Sequence, residues 1–282
     1  MRPGAVRLRV ADLDREREFY ERAIGLRALG EAHGAVRLGA DGVPSVELVA
    51  SPDSPPRPPG TTGLFHMAIL VPGRAELARA LIRVAAAGSR LTGASDHLVS
   101  EALYLNDPEG NGIEIYRDRP RSEWRYESGS LQMSTLPLDL EDLLAEAKGS
   151  APEAGMPAGT RIGHVHLNVA DLGNAESFYS GLLGFDVTVR GYPGALFLAT
   201  GGYHHYIGVN TWAGPGAPPP PEGSRGLEWF ELVTDDRAVV EELQSRLEDA
   251  GMEAEDTPGG LRTRDRSGIG VLITTGGDWA DG

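Results

Sequence analysis

The 282-residue sequence predicts an α+β fold built from four βαβββ modules, and three observations carry that expectation. Val6-Arg-Leu-Arg-Val-Ala-Asp-Leu13, Phe19-Tyr20 and Gly25 recur as Val165-His-Leu-Asn-Val-Ala-Asp-Leu172, Phe178-Tyr179 and Gly184, at a constant offset of 159 residues. Self-similarity at one fixed spacing marks a duplicated unit. A weaker likeness joins Gly63-Leu-Phe-His-Met-Ala-Ile-Leu70 to Gly226-Leu-Glu-Trp-Phe-Glu-Leu-Val233, each ahead of a helical stretch and a turn-rich hairpin. Short apolar runs with period-two alternation, punctuated by Gly and Pro, supply the strands.

In each strong copy an alternating strand leads to an Asp, Asp12 or Asp171, that can cap a helix carrying the Phe-Tyr pair, and Gly25 or Gly184 stops that helix. Ala35-Val-Arg-Leu38 and Ser45-Val-Glu-Leu-Val49 follow as strands in the first copy, Ala195-Leu-Phe-Leu198 and Tyr206-Ile-Gly-Val209 in the second. The weaker blocks lead to helices over 75–87 and 238–250, then to the aligned turns Asp107-Pro-Glu-Gly-Asn-Gly and Asp265-Arg-Ser-Gly-Ile-Gly. The modules therefore span 4–50, 63–117, 162–212 and 226–275, in halves 1–118 and 161–282. Pro-rich linkers separate modules within each half. The link at 119–160 holds one helical candidate, 138–147, and then a Gly/Ala/Pro tract.

Composition narrows the function. A net charge of −15 and 41 acidic residues argue against nucleic acid and anionic membranes, both of which need basic surface. With no cysteine there is no disulfide, no thiolate nucleophile and no Cys-type zinc site, so a metal would be held by His and carboxylates. The N-terminus lacks an apolar signal region and no run approaches a membrane span, which predicts a cytoplasmic soluble protein.

Chemistry concentrates in one hairpin. Asp107 to Gly112 is dense turn sequence between Ala102-Leu-Tyr-Leu105 and Ile113-Glu-Ile-Tyr116, and the hairpin gathers His97, Tyr104 and Glu114. Glu114 alternates against Ile113 and Ile115 and so faces the other side of its strand. If that side is the inside of a sheet, the carboxylate needs a partner, and a metal ion is one such partner.

Four βαβββ modules with His and Glu at strand ends resemble the vicinal oxygen chelate superfamily of glyoxalases, bleomycin resistance proteins and extradiol dioxygenases, over nearly the whole chain. His97, Leu103-Tyr104, Asp107-Pro108, Gly110 and Glu114 resemble the signature of its ring-cleaving dioxygenases; Ser95 departs from that pattern. The blocks Gly63-Leu-Phe-His66, Asp96-His-Leu-Val-Ser-Glu-Ala102 and Tyr203-His-His205 look most like the two-domain catechol 2,3-dioxygenase branch. The resemblance implies that modules pair into cupped-sheet barrels, each module offering a metal ligand on its first strand and another on its last. First-strand positions are Ala5, His66, His164 and Trp229; last-strand positions are Glu47, Glu114, a residue near 205–207, and Leu272. Consecutive pairing gives no two-His, one-carboxylate face. Crosswise pairing, module one with four and two with three, unites His66, His164 and Glu114, the set that suits non-haem Fe(II), with Mn(II) as the other candidate.

The resemblance further implies catalytic roles. Tyr104 would donate to a substrate oxygen, His97 would steady bound oxygen, and His205 would serve as acid and base, with His204 facing outward. Pocket walls are expected from Phe65, Tyr192, Phe197 and Trp212. The partners would be a small aromatic diol and O2, and the reaction extradiol ring cleavage as in aromatic catabolism; assembly into a homo-oligomer stays open. Two alternatives stand beside it: a glyoxalase or isomerase with a fourth ligand such as Glu47, and a metal-free antibiotic-binding resistance protein.

Overall fold

The computed structural model describes residues 1–127, 129–147 and 155–276. Residues 148–154 of the expected Gly/Ala/Pro tract and the last six residues of the C-terminal half lie outside the described residues.

Module one forms β1 (Arg2–Val10), α1 (Leu13–Phe19), a π-helical turn (Tyr20–Ile24), β2 (Arg27–Ala32), β3 (Ala35–Ala40) and β4 (Val43–Ala50). Module two forms β5 (Gly63–Leu70), α2 (Arg74–Ala86), β6 (Leu91–Asp96), β7 (Ser100–Asn106) and β8 (Gly112–Asp118). The link carries β9 (Tyr126–Glu127), β10 (Ser130–Leu131), β11 (Leu136–Pro137) and α3 (Leu140–Ala145), the last inside the expected helix. Module three forms β12 (Arg161–Asn168), α4 (Leu172–Glu176), a second π-helical turn (Ser177–Leu182), β13 (Asp186–Val189), β14 (Ala195–Ala199) and β15 (Ile207–Asn210). Module four forms β16 (Gly226–Val233), α5 (Arg237–Asp249), β17 (Ala254–Thr257), β18 (Gly260–Arg264) and β19 (Gly270–Thr274).

The fold is α+β, with the four expected βαβββ modules following one another along the chain. Among the described residues one large sheet runs β17, β18, β19, β16, β1, β4, β3, β2, a second runs β11, β6, β7, β8, β5, β12, β15, β14, β13, and β9 and β10 pair as a two-stranded sheet. By contact density the chain divides into two units, residues 1–9, 54–65 and 164–282 in one, 10–53 and 66–163 in the other. In the first, β1 runs antiparallel to β16, with Arg7 opposite Trp229. In the second, β5 and β8 run parallel and β7 and β8 form the expected hairpin. No helix of the described residues is long and apolar enough to cross a membrane.

The capping aspartates act as the repeat predicts. Asp12 accepts the Arg15 amide at 3.1 Å and Asp171 accepts the Asn174 amide at 2.7 Å, each satisfying a free N–H of a first helical turn. Both helices then widen into a π turn before Gly25 (φ +90°) and Gly184 (φ +81°), left-handed positions that glycine adopts without strain. Tyr20 and Tyr179 sit in these wide turns, fully buried. Their hydroxyls donate to Asp107 at 3.1 Å and Asp265 at 3.0 Å, the residues that head the two aligned turns. The other oxygen of each aspartate gathers two turn amides, Glu109 and Asn111 in one copy, Ser267 and Ile269 in the other. Burial pushes both tyrosines and both aspartates up. Each tie thus binds the helix of one module to the last turn of the next, a bond to a carboxyl group worth roughly 1.5–3 kcal/mol if the aspartate is ionised.

Glu16 on α1 is fully buried, close to the carboxyl groups of Asp107 and Glu109. Burial, reinforced by Asp107 and Glu109, raises its pKa from 4.5 to about 9. The folded protein therefore holds a proton that the unfolded chain releases above pH 4.5, so stability is full below that pH and falls as pH rises towards 9. Glu16→Gln keeps the shape and removes the titration. Denaturant melts should show a gain of about 1–3 kcal/mol at pH 8 and little change at pH 4.5. An equal effect at both pH values would contradict a protonated Glu16.

Candidate metal centre

Glu114 lies on β8 between Ile113 and Ile115, and all three are buried, so this strand has no solvent face for the carboxylate. The register sets Tyr104 of β7 directly opposite Glu114. His66 on β5 brings Nε2 to 3.0 Å from a Glu114 oxygen, and its ring centroid lies 5.6 Å from that of Tyr104. Gly163 faces the Tyr116 hydroxyl so closely that a Cβ there would lie 1.9 Å from it, which places the start of β12 against β8.

His97 stands in the turn between β6 and β7, shaped by Leu98 at φ +70°, whose amide donates to Asp96 at 2.8 Å. Its Nδ1 meets the Ser134 carbonyl at 2.7 Å, and its Nε2 meets the Tyr104 hydroxyl at 2.6 Å. A carbonyl oxygen only accepts, so Nδ1 carries the proton and neutral His97 accepts from Tyr104 at Nε2. The Tyr104 proton is turned to another oxygen only when His97 holds a second proton. Ser134, in the link, is a partner the motif does not announce.

In the other unit His164 lies on β12 with its ring 4.1 Å from that of His205. His204 is fully buried and its Nδ1 is 2.8 Å from Nδ1 of His205, which corrects the expectation that it faces outward. Both residues precede β15 in irregular chain, where side chains need not alternate between faces. The Thr188 hydroxyl donates to the His204 carbonyl at 2.6 Å and fixes this segment.

The last-strand position of module three also needs correction. Parallel pairing sets Ala68 opposite Glu114 and Glu231 opposite Leu272, two residues beyond His66 and Trp229. The same register sets His166, two beyond His164, opposite Gly208, not a residue at 205–207. Glycine offers no ligand, and the His166 ring lies over it, 3.0 Å from where a Cβ would stand. Glu47 lies on β4 of the eight-stranded sheet and pairs with Arg37 at 3.4 Å.

Among the described residues one group of candidate metal ligands emerges: His66, Glu114 and His164, all buried, each with a ligand atom within 4.8 Å of the others. Two imidazoles and a carboxylate are a donor set that a divalent transition metal fits, and the ion would meet the charge of a buried Glu114.

A family model described as the glyoxalase/bleomycin resistance protein/dioxygenase superfamily matches residues 2–115 and 161–272. A protein of Bacillus subtilis (strain 168) called catechol-2,3-dioxygenase is 42% identical over 269 residues, 93% of each chain. A candidate dioxygenase crystal structure from the same species has a TM-score of 0.69 at 14% identity, covering 97% of this chain and 84% of that one. Glyoxalase I of Zea mays has a TM-score of 0.60 at 16% identity, covering 97% and 92%. At those identities the two structures speak for the fold alone.

Gly208→Ala should lower stability by about 1–3 kcal/mol in thermal melts, since the His166 ring must move to admit a Cβ. A neutral result would mean that the ring is free to shift.

Proposed function

Because the chain belongs to the glyoxalase/bleomycin resistance protein/dioxygenase superfamily, we propose that it is an extradiol dioxygenase that opens a catechol with O2, using Fe(II) held by His66, His164 and Glu114. The observation that carries this reading is the three-residue cluster, with Gly208 where a further ligand would stand. Three protein ligands leave positions for a diol and O2, as non-haem Fe(II) oxygenases require; Mn(II) suits the same donors. The 42% identity to a catechol-2,3-dioxygenase supports the substrate class. The strand orders support crosswise pairing of the modules across the halves 1–118 and 161–282, since β16 neighbours β1 and β5 neighbours β12. A four-ligand glyoxalase site is disfavoured, because Glu47 is engaged by Arg37 in the other sheet.

The ion would gather the two substrate oxygens and O2 at one centre and act as a Lewis acid. His205 takes the proton of a substrate hydroxyl and returns it later; its Nδ1 contact with His204 holds the ring beside His164. Tyr104 and His97 act as a pair: with His97 protonated at Nε2, the Tyr104 hydroxyl keeps its own proton and donates it to a substrate oxygen. The carbon–carbon bond next to the diol breaks. Both atoms of O2 enter the product, a 2-hydroxy acid that also carries an aldehyde, so no external reductant is needed.

Anaerobically purified protein loaded with Fe(II) should take up one O2 per catechol and give a yellow product. His66→Ala, His164→Ala and Glu114→Ala should each lose metal and at least 10³-fold in activity, while His205→Asn keeps the metal and loses about 10²–10⁴-fold in kcat. Metal-loaded protein that leaves catechols intact but isomerises a hemithioacetal would overturn the reading in favour of a glyoxalase.

A further inference from the structure

Tyr104 donates to a substrate oxygen only while His97 carries two protons, so the surroundings of His97 decide whether that state is within reach. Both ring nitrogens face oxygens with lone pairs. Nδ1 meets the Ser134 carbonyl at 2.7 Å and Nε2 the Tyr104 hydroxyl at 2.6 Å, so an imidazolium can donate at both ends without moving. The remaining requirement is a counter-charge.

Asp96 precedes His97 at the end of β6, and both of its carboxylate oxygens are held. One accepts the Leu98 amide at 2.8 Å, the bond that supports Leu98 at φ +70°, and the other accepts from Arg119 at 2.7 Å. The His97 amide donates to the Ser100 carbonyl at 2.8 Å, and the Arg119 amide to the Val99 carbonyl at 2.8 Å, which ties the turn to the chain just beyond β8. Burial opposes a charge on Asp96, yet the Leu98 amide, Arg119 and the positive charge of His97 outweigh it and hold the carboxyl below its usual range.

Arg119 does not cancel that charge alone. The same guanidinium also reaches Glu101 at 3.1 Å and Glu123 at 3.6 Å, so three carboxylates share one cation. Glu101 is met in addition by Arg74 at 2.9 Å and Arg117 at 2.8 Å. From the elements packed against it, His97 meets Asp96 of β6 and Tyr104 of β7, with Arg119, Glu101 and Glu123 behind Asp96, while the link presents the neutral Ser134 carbonyl.

We propose that Asp96 is a positioning residue for the pair of His97 and Tyr104: its carboxylate is the counter-charge of a doubly protonated His97, which donates its Nε2–H to the Tyr104 oxygen and leaves the Tyr104 proton to the substrate. The second proton comes from solvent. This role rests on the ring-cleavage reading and adds to it the group that sets the donor state of Tyr104.

Asp96→Asn and Asp96→Ser keep an oxygen for the Leu98 amide and remove the charge, so they separate the charge from the turn. Imidazole-nitrogen NMR of the full-length protein, with His97 assigned through His97→Gln, reads its protonation without catalysis. An anion favours the cationic form of its neighbour, so the His97 midpoint should lie about one pH unit lower in both variants than in the wild type. With Fe(II) and catechol, the fall of kcat at high pH should move down by the same amount, while KM stays within about twofold. A midpoint that rises or stays within about 0.3 unit of the wild type, in one variant or both, overturns the role. Lowered midpoints in protein that cleaves no catechol leave the counter-charge standing and sink ring cleavage. Cleavage whose kcat profile is the same in the wild type and both variants sinks the role of Asp96 alone.

Discussion

The arrangement turns on one buried carboxylate. Glu114 is 2% exposed on a strand packed on both faces, and a carboxylate in such a place needs compensation from charge or hydrogen bonds. His66 stands at 3.0 Å to provide part of it, and the opposing strand brings Tyr104 to the same face, with His97 behind it. The hairpin turn that fixes this register is itself held by Asp107, through two turn amides and the Tyr20 hydroxyl. A stability device in the helix of module one therefore sets the position of a carboxylate in module two.

Duplication gave the scaffold equivalent positions, and their contents have diverged. Where modules two and three carry His66 and His164, module one has Ala5 and module four Trp229, both buried. Leu272 stands where Glu114 does, and Gly208 where a further side chain would. Module four still buries an acid, Glu231, but satisfies it by the Ala5 amide at 3.0 Å and the Thr274 hydroxyl at 2.7 Å. One buried carboxylate is thus answered by neutral donors within the chain, and the other faces an imidazole.

Much of this was legible from residue patterns because the signals are local. The 159-residue offset located the duplicated strands, Asp12 and Asp171 announced their helices, and Asp107 to Gly112 announced the hairpin. What escaped depends on contacts remote in sequence. The widening into π turns answers Asp107 and Asp265, more than 80 residues away, and helical periodicity carries no trace of it. The place of Gly208 follows from which residue of β15 faces His166, a register that no single strand encodes. His204 and His205 read as alternating only if they lie in a strand, and they lie just before one. The Ser134 carbonyl that sets the His97 tautomer comes from the link, the stretch with the weakest pattern.

The central claim is that His66, His164 and Glu114 hold one divalent metal. X-ray absorption at the iron edge of anaerobically loaded protein tests it most directly. The account expects one iron per chain with two imidazoles and at least one carboxylate oxygen in its coordination shell, and loss of one imidazole contribution in His164→Ala. An iron shell without imidazole, or a spectrum unchanged by that substitution, would contradict it.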